Sequence, residues 1–208
     1  EVIVKSFKAF MIKALSYRSI HHKEASLATI EQIETSFGEA FSTFIPKLTE
    51  SSFRPIFYKL LEWSIQIDNS KKFNKKDKSY SLSEECYFRM IAFYRFCSLL
   101  ADKLKSLFCV FVAPSIVNNC SEMLLAYHSA NFEEQSEDDY SDFMTSQPQQ
   151  QSKAYEGKLK LRDARLGEPL VGAILATLSK CFLYDLNGTF VNKDCTSLIV
   201  KPIVNQVS

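Results

Sequence analysis

Glycine is scarce, 5 residues in 208, while phenylalanine reaches 17. So few residues tolerant of positive φ argue against glycine-rich phosphate loops, hairpin meanders and dinucleotide folds. Histidine is scarcer still, with 3 residues, and His21 and His22 are adjacent, so their side chains diverge on helix or strand alike. No two of the six cysteines (Cys86, Cys97, Cys109, Cys120, Cys181, Cys195) have C-x-x-C spacing. Zinc needs converging thiolates and imidazoles, so these read instead as small buried hydrophobes in a reducing compartment. G-x-S-x-G, H-E-x-x-H, Walker and calcium-loop motifs are all missing. No helix face sets two carboxylates together among apolar residues, as acid–base chemistry would require. The reading is a protein that is not an enzyme and that calls for no cofactor and no metal.

Charge of one sign is also lacking. The formal net charge is +1, so no global field draws the chain to nucleic acid or membrane, and such a partner would have to be held by local patches. The longest apolar run, Leu104 to Val117, is broken by Lys105 and Pro114 and falls short of the roughly 20 residues of a membrane span. No secretory leader is visible. Val2-Ile3-Val4 is apolar from the start, and Leu198 to Val204 is apolar almost to Ser208, which reads as a segment cut from a longer polypeptide.

What the chain does have is helical periodicity. Hydrophobic residues make up 46% and charged residues 24%, near the globular average, and the length allows one or two domains. Apolar positions recur at i, i+3, i+4 and i+7 over 2–18, and again through Leu27, Ile30, Ile33, Phe37 and Phe41. Thr49 reads as the N-cap of a helix carrying Phe53, Ile56, Phe57, Leu60 and Trp63. Ser81 and Glu84 form an S-x-x-E capping box that opens a long helix over about 83–112, which Pro114 ends or kinks. A shorter helix runs to about His128. Leu170 to Leu183 is strongly apolar, Asp185 to Gly188 is a turn, and Asn192 caps a last helix. Strand evidence is thin, at most Gly188 to Val191. Successive helices with short loops predict an all-α fold of HEAT-like stacked antiparallel helix pairs, an α-solenoid fragment; a helical bundle shows the same pattern. The predicted organisation is helical repeats over 1–130, an acidic then basic disordered insertion over 131–165, and a continuing helical repeat over 166–208.

The run Leu48-Thr-Glu-Ser-Ser-Phe-Arg-Pro-Ile-Phe-Tyr-Lys-Leu-Leu-Glu-Trp-Ser64 resembles a family signature, L-[ST]-E-x-x-F-R-P-x-F-x-K-L-x-x-W, met at Phe53, Arg54, Pro55, Phe57, Lys59 and Trp63. Ile91 to Phe96 with Leu100 to Phe108, and Leu178 to Asp185 with Phe190 to Lys193 and Pro202 to Gln206, match further along in the same order. The family is that of the C-terminal region of HEAT-repeat-containing protein 1, a large scaffold of the small-subunit processome. The resemblance implies a non-catalytic nucleolar scaffold, acting in early pre-18S rRNA processing and ribosome biogenesis and supporting rRNA transcription. It implies other processome subunits, pre-rRNA and small nucleolar RNA as partners, reached directly or through other proteins. A HEAT-type, transport-receptor-like adaptor that binds only protein is the alternative, and self-association stays open.

Each marked residue also has a plainer role. The Phe53-Arg54-Pro55 signature is a packing element first, since buried aromatics stabilise by about 1.5–3 kcal/mol each. Lys71, Lys72, Lys75, Lys76 and Lys78 form a basic loop with Phe73 among them, and Lys153, Lys158, Lys160, Arg162 and Arg165 form a second basic set. Either is a solvated surface or a contact for phosphates or a partner. Between them, residues 131–152 hold six acids and no lysine or arginine, a composition that favours disorder. Ser136, followed by Glu137, Asp138 and Asp139, fits an acidophilic kinase site.

Overall fold

The computed structural model describes residues 2–66, 73–74, 79–132, 158–160, 164–188 and 190–206. Among the described residues the regular structure is helical apart from three very short strands. Helices α1 (Val2–Leu15), α2 (Tyr17–His21), α3 (Leu27–Phe44) and α4 (Glu50–Ile65) come first. Next are α5 (Glu84–Leu104), α6 (Ser106–Phe111) and α7 (Ala113–Phe132), followed by α8 (Ala164–Tyr184) and α9 (Lys193–Val204). Strands β1 (Phe73–Asn74), β2 (Ser79–Ser81) and β3 (Lys158–Lys160) form one small sheet in the order β1-β2-β3. The fold is an all-α, HEAT-like helical fragment, as the periodicity predicts.

The helix starts follow capping chemistry. Ser26 Oγ accepts from the Thr29 amide at 3.2 Å ahead of α3, and Asn192 Oδ1 accepts from the Cys195 amide at 2.8 Å ahead of α9. Thr49 stands at the N-cap of α4, but its hydroxyl bonds the Ser51 and Ser52 hydroxyls rather than a backbone amide. Ser83, not Ser81, caps α5, taking the Cys86 amide at 3.2 Å. Ser81 instead ends β2, where the backbone is extended.

The long helix expected over 83–112 stops earlier. Lys105 has φ 49° and ψ −122° and breaks it between Leu104 and Ser106. Apolar spacing carries on through the break, which hides it from a periodicity count. The turn brings Phe108, Cys109 and Val112 to full burial while leaving Leu107 at 54% exposure. Pro114 ends nothing: it sits in the first turn of α7, where its missing N–H is not needed. Of the stretch Gly188 to Val191, the described residues Gly188, Phe190 and Val191 form no strand, and Thr189 lies outside the described residues. The Phe190 and Val191 amides both donate to Asp185 Oδ2, at 2.8 and 2.7 Å, closing a turn in which Gly188 takes φ +64°.

A single buried cluster runs from Met11 to Ile199. Helix α5 is its axis, packed by α8, α3, α4 and α2. Its wide stripe, from Cys86 through Phe93, Tyr94 and Leu100, is buried on more than one side. Helix α8 is long and apolar enough, over Arg165–Tyr184, to cross a membrane by length and composition, a run longer than the Leu104–Val117 stretch that stands out in the sequence. Here Leu170, Ile174, Leu178 and Cys181 are buried in the shared core instead. Polar ties fix it to α5: Thr177 Oγ1 donates to the Tyr94 carbonyl at 2.9 Å, and Lys180 and Tyr184 both reach Asp102.

Helix α7 extends to Phe132, and β3 at Lys158–Lys160 pairs with β2, so both ends of the expected 131–165 disordered insertion carry regular structure. Residues 133–157 and 161–163 lie outside the described residues.

Candidate functional site

Helices α3 and α8 both pack on α5 and leave a cleft of about 530 Å³ between them. Its floor is Phe88, Ile91, Ser98 and Leu99 of α5. The α8 wall is built from small or short side chains, Pro169, Gly172, Ala173 and Ala176, with Leu166 and Arg165 at one end. A Cβ added to Gly172 would meet nothing within 4 Å, so the space in front of α8 is real. The cleft falls within the size range of ligand and peptide pockets.

The opposite wall is ionic. Arg18 of α2 holds Glu34 of α3 through Nε to Oε1 at 2.7 Å and Nη2 to Oε2 at 2.8 Å, and the two side chains are only 5% and 4% exposed. Arg95, on the floor helix α5, then bridges two turns of α3, with Nε 3.0 Å from Glu34 Oε2 and Nη1 3.1 Å from Glu31 Oε1. The result is a neutral four-residue ladder, sealed at Arg18–Glu34 and open at Arg95–Glu31, whose side chains are 32% and 40% exposed. Such an array can orient and pair charged groups brought to its edge. The sequence carried a signal for it: Arg95 interrupts the apolar run Ile91 to Phe96, and an arginine on a buried stripe needs a carboxylate.

The signature residues are packing and surface elements of α4. Phe53, Phe57 and Trp63 are 8%, 2% and 9% exposed, with Phe57 against Phe93 at a ring distance of 5.7 Å. Arg54, Pro55 and Lys59 face solvent, Arg54 pairing with Glu50 at 2.7 Å and Lys59 with Glu62 at 3.0 Å. The signature thus seals α4 onto α5 rather than building the cleft.

Residues 2–190 match the BP28CT (NUC211) domain. The chain belongs to the BP28CT family. It is 29% identical over 199 residues to HEAT repeat-containing protein 1 of Danio rerio, covering 96% of this chain and 8% of that relative. The human protein of the same name is 26% identical over the same share of this chain, which spans 7% of its length. U3 small nucleolar RNA-associated protein 10 of Debaryomyces hansenii is 31% identical over 104 residues, 49% of this chain and 5% of that protein. No solved structure matches.

Within this BP28CT fold the small sheet sets the backbone of Lys158–Lys160 beside that of Ser79–Ser81. Strand β2 pairs antiparallel with β1 and parallel with β3, setting Ser79 opposite Lys158 and Ser81 opposite Lys160. Lys71, Lys72, Lys75, Lys76, Lys78, Lys153, Arg162 and Ser136 lie outside the described residues. Arg165 is exposed at the start of α8 and lines the cleft.

Other reactive groups are walled in. Cys97 and Cys120 are fully buried beside Tyr94, whose hydroxyl donates to Asn119 Oδ1 at 2.6 Å and receives Cys120 Sγ at 3.5 Å. Burial pushes the Cys120 thiol up to about 12, and burial followed by the neighbouring Cys120 raises Tyr94 and Cys97 well above their ordinary values. These groups are held neutral, the opposite of an activated nucleophile. Among the described residues no three His, Cys, Asp or Glu side chains gather as a metal site would require.

Proposed function

We propose that this chain is a scaffold module of the small-subunit processome, acting without catalysis in early pre-18S rRNA processing and ribosome biogenesis in the nucleolus, and supporting rRNA transcription. The observation that carries the reading is the BP28CT match over residues 2–190, joined to relatives named for HEAT repeats and for association with U3 small nucleolar RNA. The chain spans less than a tenth of those relatives, 8% and 5%, so the whole scaffold's work is carried here in part. A continuous helical core with an open cleft on its surface suits many modest contacts with partners. In this reading Lys71, Lys72, Lys75, Lys76, Lys78, Lys158, Lys160, Arg162 and Arg165 supply the contacts to RNA or partner, Ser136 is a modification point, and Phe53, Phe57 and Trp63 hold the framework.

Depleting the protein from cells and following 18S precursors tests this directly, together with gradient sedimentation against U3 RNA. Accumulated uncut pre-18S rRNA and comigration with U3 are expected. Normal 18S processing with no U3 in the protein's fractions overturns the reading and favours a protein-only adaptor.

A further inference from the structure

We propose that the cleft between α3, α5 and α8 is a docking groove for an amphipathic helix of a protein partner. That helix seats an aliphatic row on the groove floor and carries an acid and a base one turn apart, which meet Arg95 and Glu31. The inference stands on the groove's geometry and does not rest on the processome reading.

The shape of the groove selects a helix. The floor is one helix and both walls are helices, so the trough runs along α5, and a further helix laid in it completes a layer by ridge-into-groove packing. On the α8 wall, Pro169 and Ala173 form one i, i+4 row and Gly172 and Ala176 the next. These short side chains form a shallow surface that a helix backbone can approach closely. The apolar floor, Ile91 and Leu99 with Leu166 at the end, asks for aliphatic anchors spaced i, i+3 or i+4, and i+7.

Charge selects the rest. Arg18 and Glu34 satisfy each other behind the wall, so the edge that an occupant meets is Arg95 beside Glu31. A positive and a negative group side by side complement an opposite pair on the partner. At one end of the α8 wall the exposed Arg165 adds a further positive group for an acid on the partner. The exposed Glu31 calls for a positive group, which a phosphate backbone does not supply, so a protein helix bearing both signs matches the lining better than an RNA strand.

Gly172 gives a clean probe, because a side chain there grows into open space. The test places the photocrosslinking residue p-benzoylphenylalanine at Ala176, which is exposed and lines the cleft, in the full-length protein in cells, and maps the adducts by mass spectrometry. The expected adduct falls on one protein segment with the stated apolar spacing and flanking charges. Gly172→Leu should lower its yield at least tenfold with the thermal transition unchanged or raised. Glu31→Lys, at the exposed edge of the ladder, should also lower it and serves if the first variant folds poorly. Adducts on RNA, on a second copy of this chain, on a segment lacking the pattern, or none at all overturn the proposal. So does a yield indifferent to both variants. U3 comigration is read in the same cells. If comigration persists without the adduct, docking alone fails. An adduct of the expected kind without U3 upholds docking and removes the processome reading.

Discussion

Arg18 and Glu34 are joined by two parallel bonds, 2.7 and 2.8 Å long, sixteen residues apart in sequence and both shut away from solvent. Removing one member strands the other. Glu34→Ala leaves the Arg18 guanidinium buried with only Glu31 at 3.9 Å, and breaking a buried pair from one side costs about 3–5 kcal/mol. Glu31→Ala, at the exposed edge, should cost about 1 kcal/mol or less. Urea unfolding of the two variants checks the difference, and equal losses would show that the ladder is no firmer inside than outside.

The α4 signature should behave as framework. Phe57 is buried against Phe93, and Phe57→Ala is expected to cost about 3–5 kcal/mol. Arg54→Ala removes an exposed i, i+4 pair with Glu50 and should stay within about 1 kcal/mol of the parent. Thermal unfolding reads both. A severe stability loss at Arg54 would give that residue a role beyond its surface pair.

Burial of the thiols makes stability depend on alkaline pH. Cys120 is pushed up to about 12, and Cys97 and Cys181 are raised as well, burial being the first cause in each case. In the unfolded chain a thiol ionises near 8.5. Below that pH both states are protonated and the thiols contribute no pH dependence. Above it the unfolded state releases protons that the folded state keeps, so stability falls as pH rises, by up to ~1.4 kcal/mol per pH unit for each such group. Urea midpoints at pH 7, 8.5 and 10 should therefore decline across the last interval. Replacing Cys97, Cys120 and Cys181 with alanine should flatten that decline, whatever it does to overall stability. An undiminished slope would assign the decline to other groups.

How much was legible in the sequence depended on the range of the interaction. Ser26 and Asn192 cap their helices through atoms three residues away, and Asn192 could be read directly as a cap. The apolar stripe of α5 and the packing of Phe53, Phe57 and Trp63 follow from periodicity. The ladder could not be read in full, because Arg18, Glu34 and Arg95 meet only when α2, α3 and α5 pack. Nor could the sheet, whose β2–β3 pairing joins Ser79 to Lys158 across a long separation. The break at Lys105 was hidden for a different reason: Leu104 and Phe108 keep helical spacing across it, so the backbone of one residue departs while the hydrophobic pattern does not.

Two glycines of α8 should respond in opposite ways to the same methyl group. At Gly172 an added Cβ meets nothing within 4 Å, so Gly172→Ala gains helix propensity and should stabilise by ~0.4–1 kcal/mol. At Gly167 the new Cβ would lie 2.7 and 2.8 Å from two ring carbons of Tyr127, and the ring must move before α7 and α8 can pack. Gly167→Ala should therefore lower the melting temperature while Gly172→Ala raises it. A rise in both would mean that Tyr127 yields without cost.

Lys105 is the one described residue other than glycine with positive φ. Its φ of 49° with ψ of −122° lies where side chains are disfavoured and glycine is not. Its amide still bonds the Ala101 carbonyl at 2.7 Å and its carbonyl takes the Phe108 amide at 2.9 Å, so both ends of the turn are held by backbone. The side chain is exposed, and its loss should remove little packing. Lys105→Gly relieves a conformation costing about 1–3 kcal/mol, while making the unfolded chain more flexible offsets up to about 1 kcal/mol of the gain. A net rise in the urea midpoint is expected. Lys105→Ala keeps the Cβ and so the strain, and should show no such rise. If glycine and alanine shift the midpoint equally, the turn stores no strain, and the break between α5 and α6 is set by the packing of Phe108 and Val112 alone.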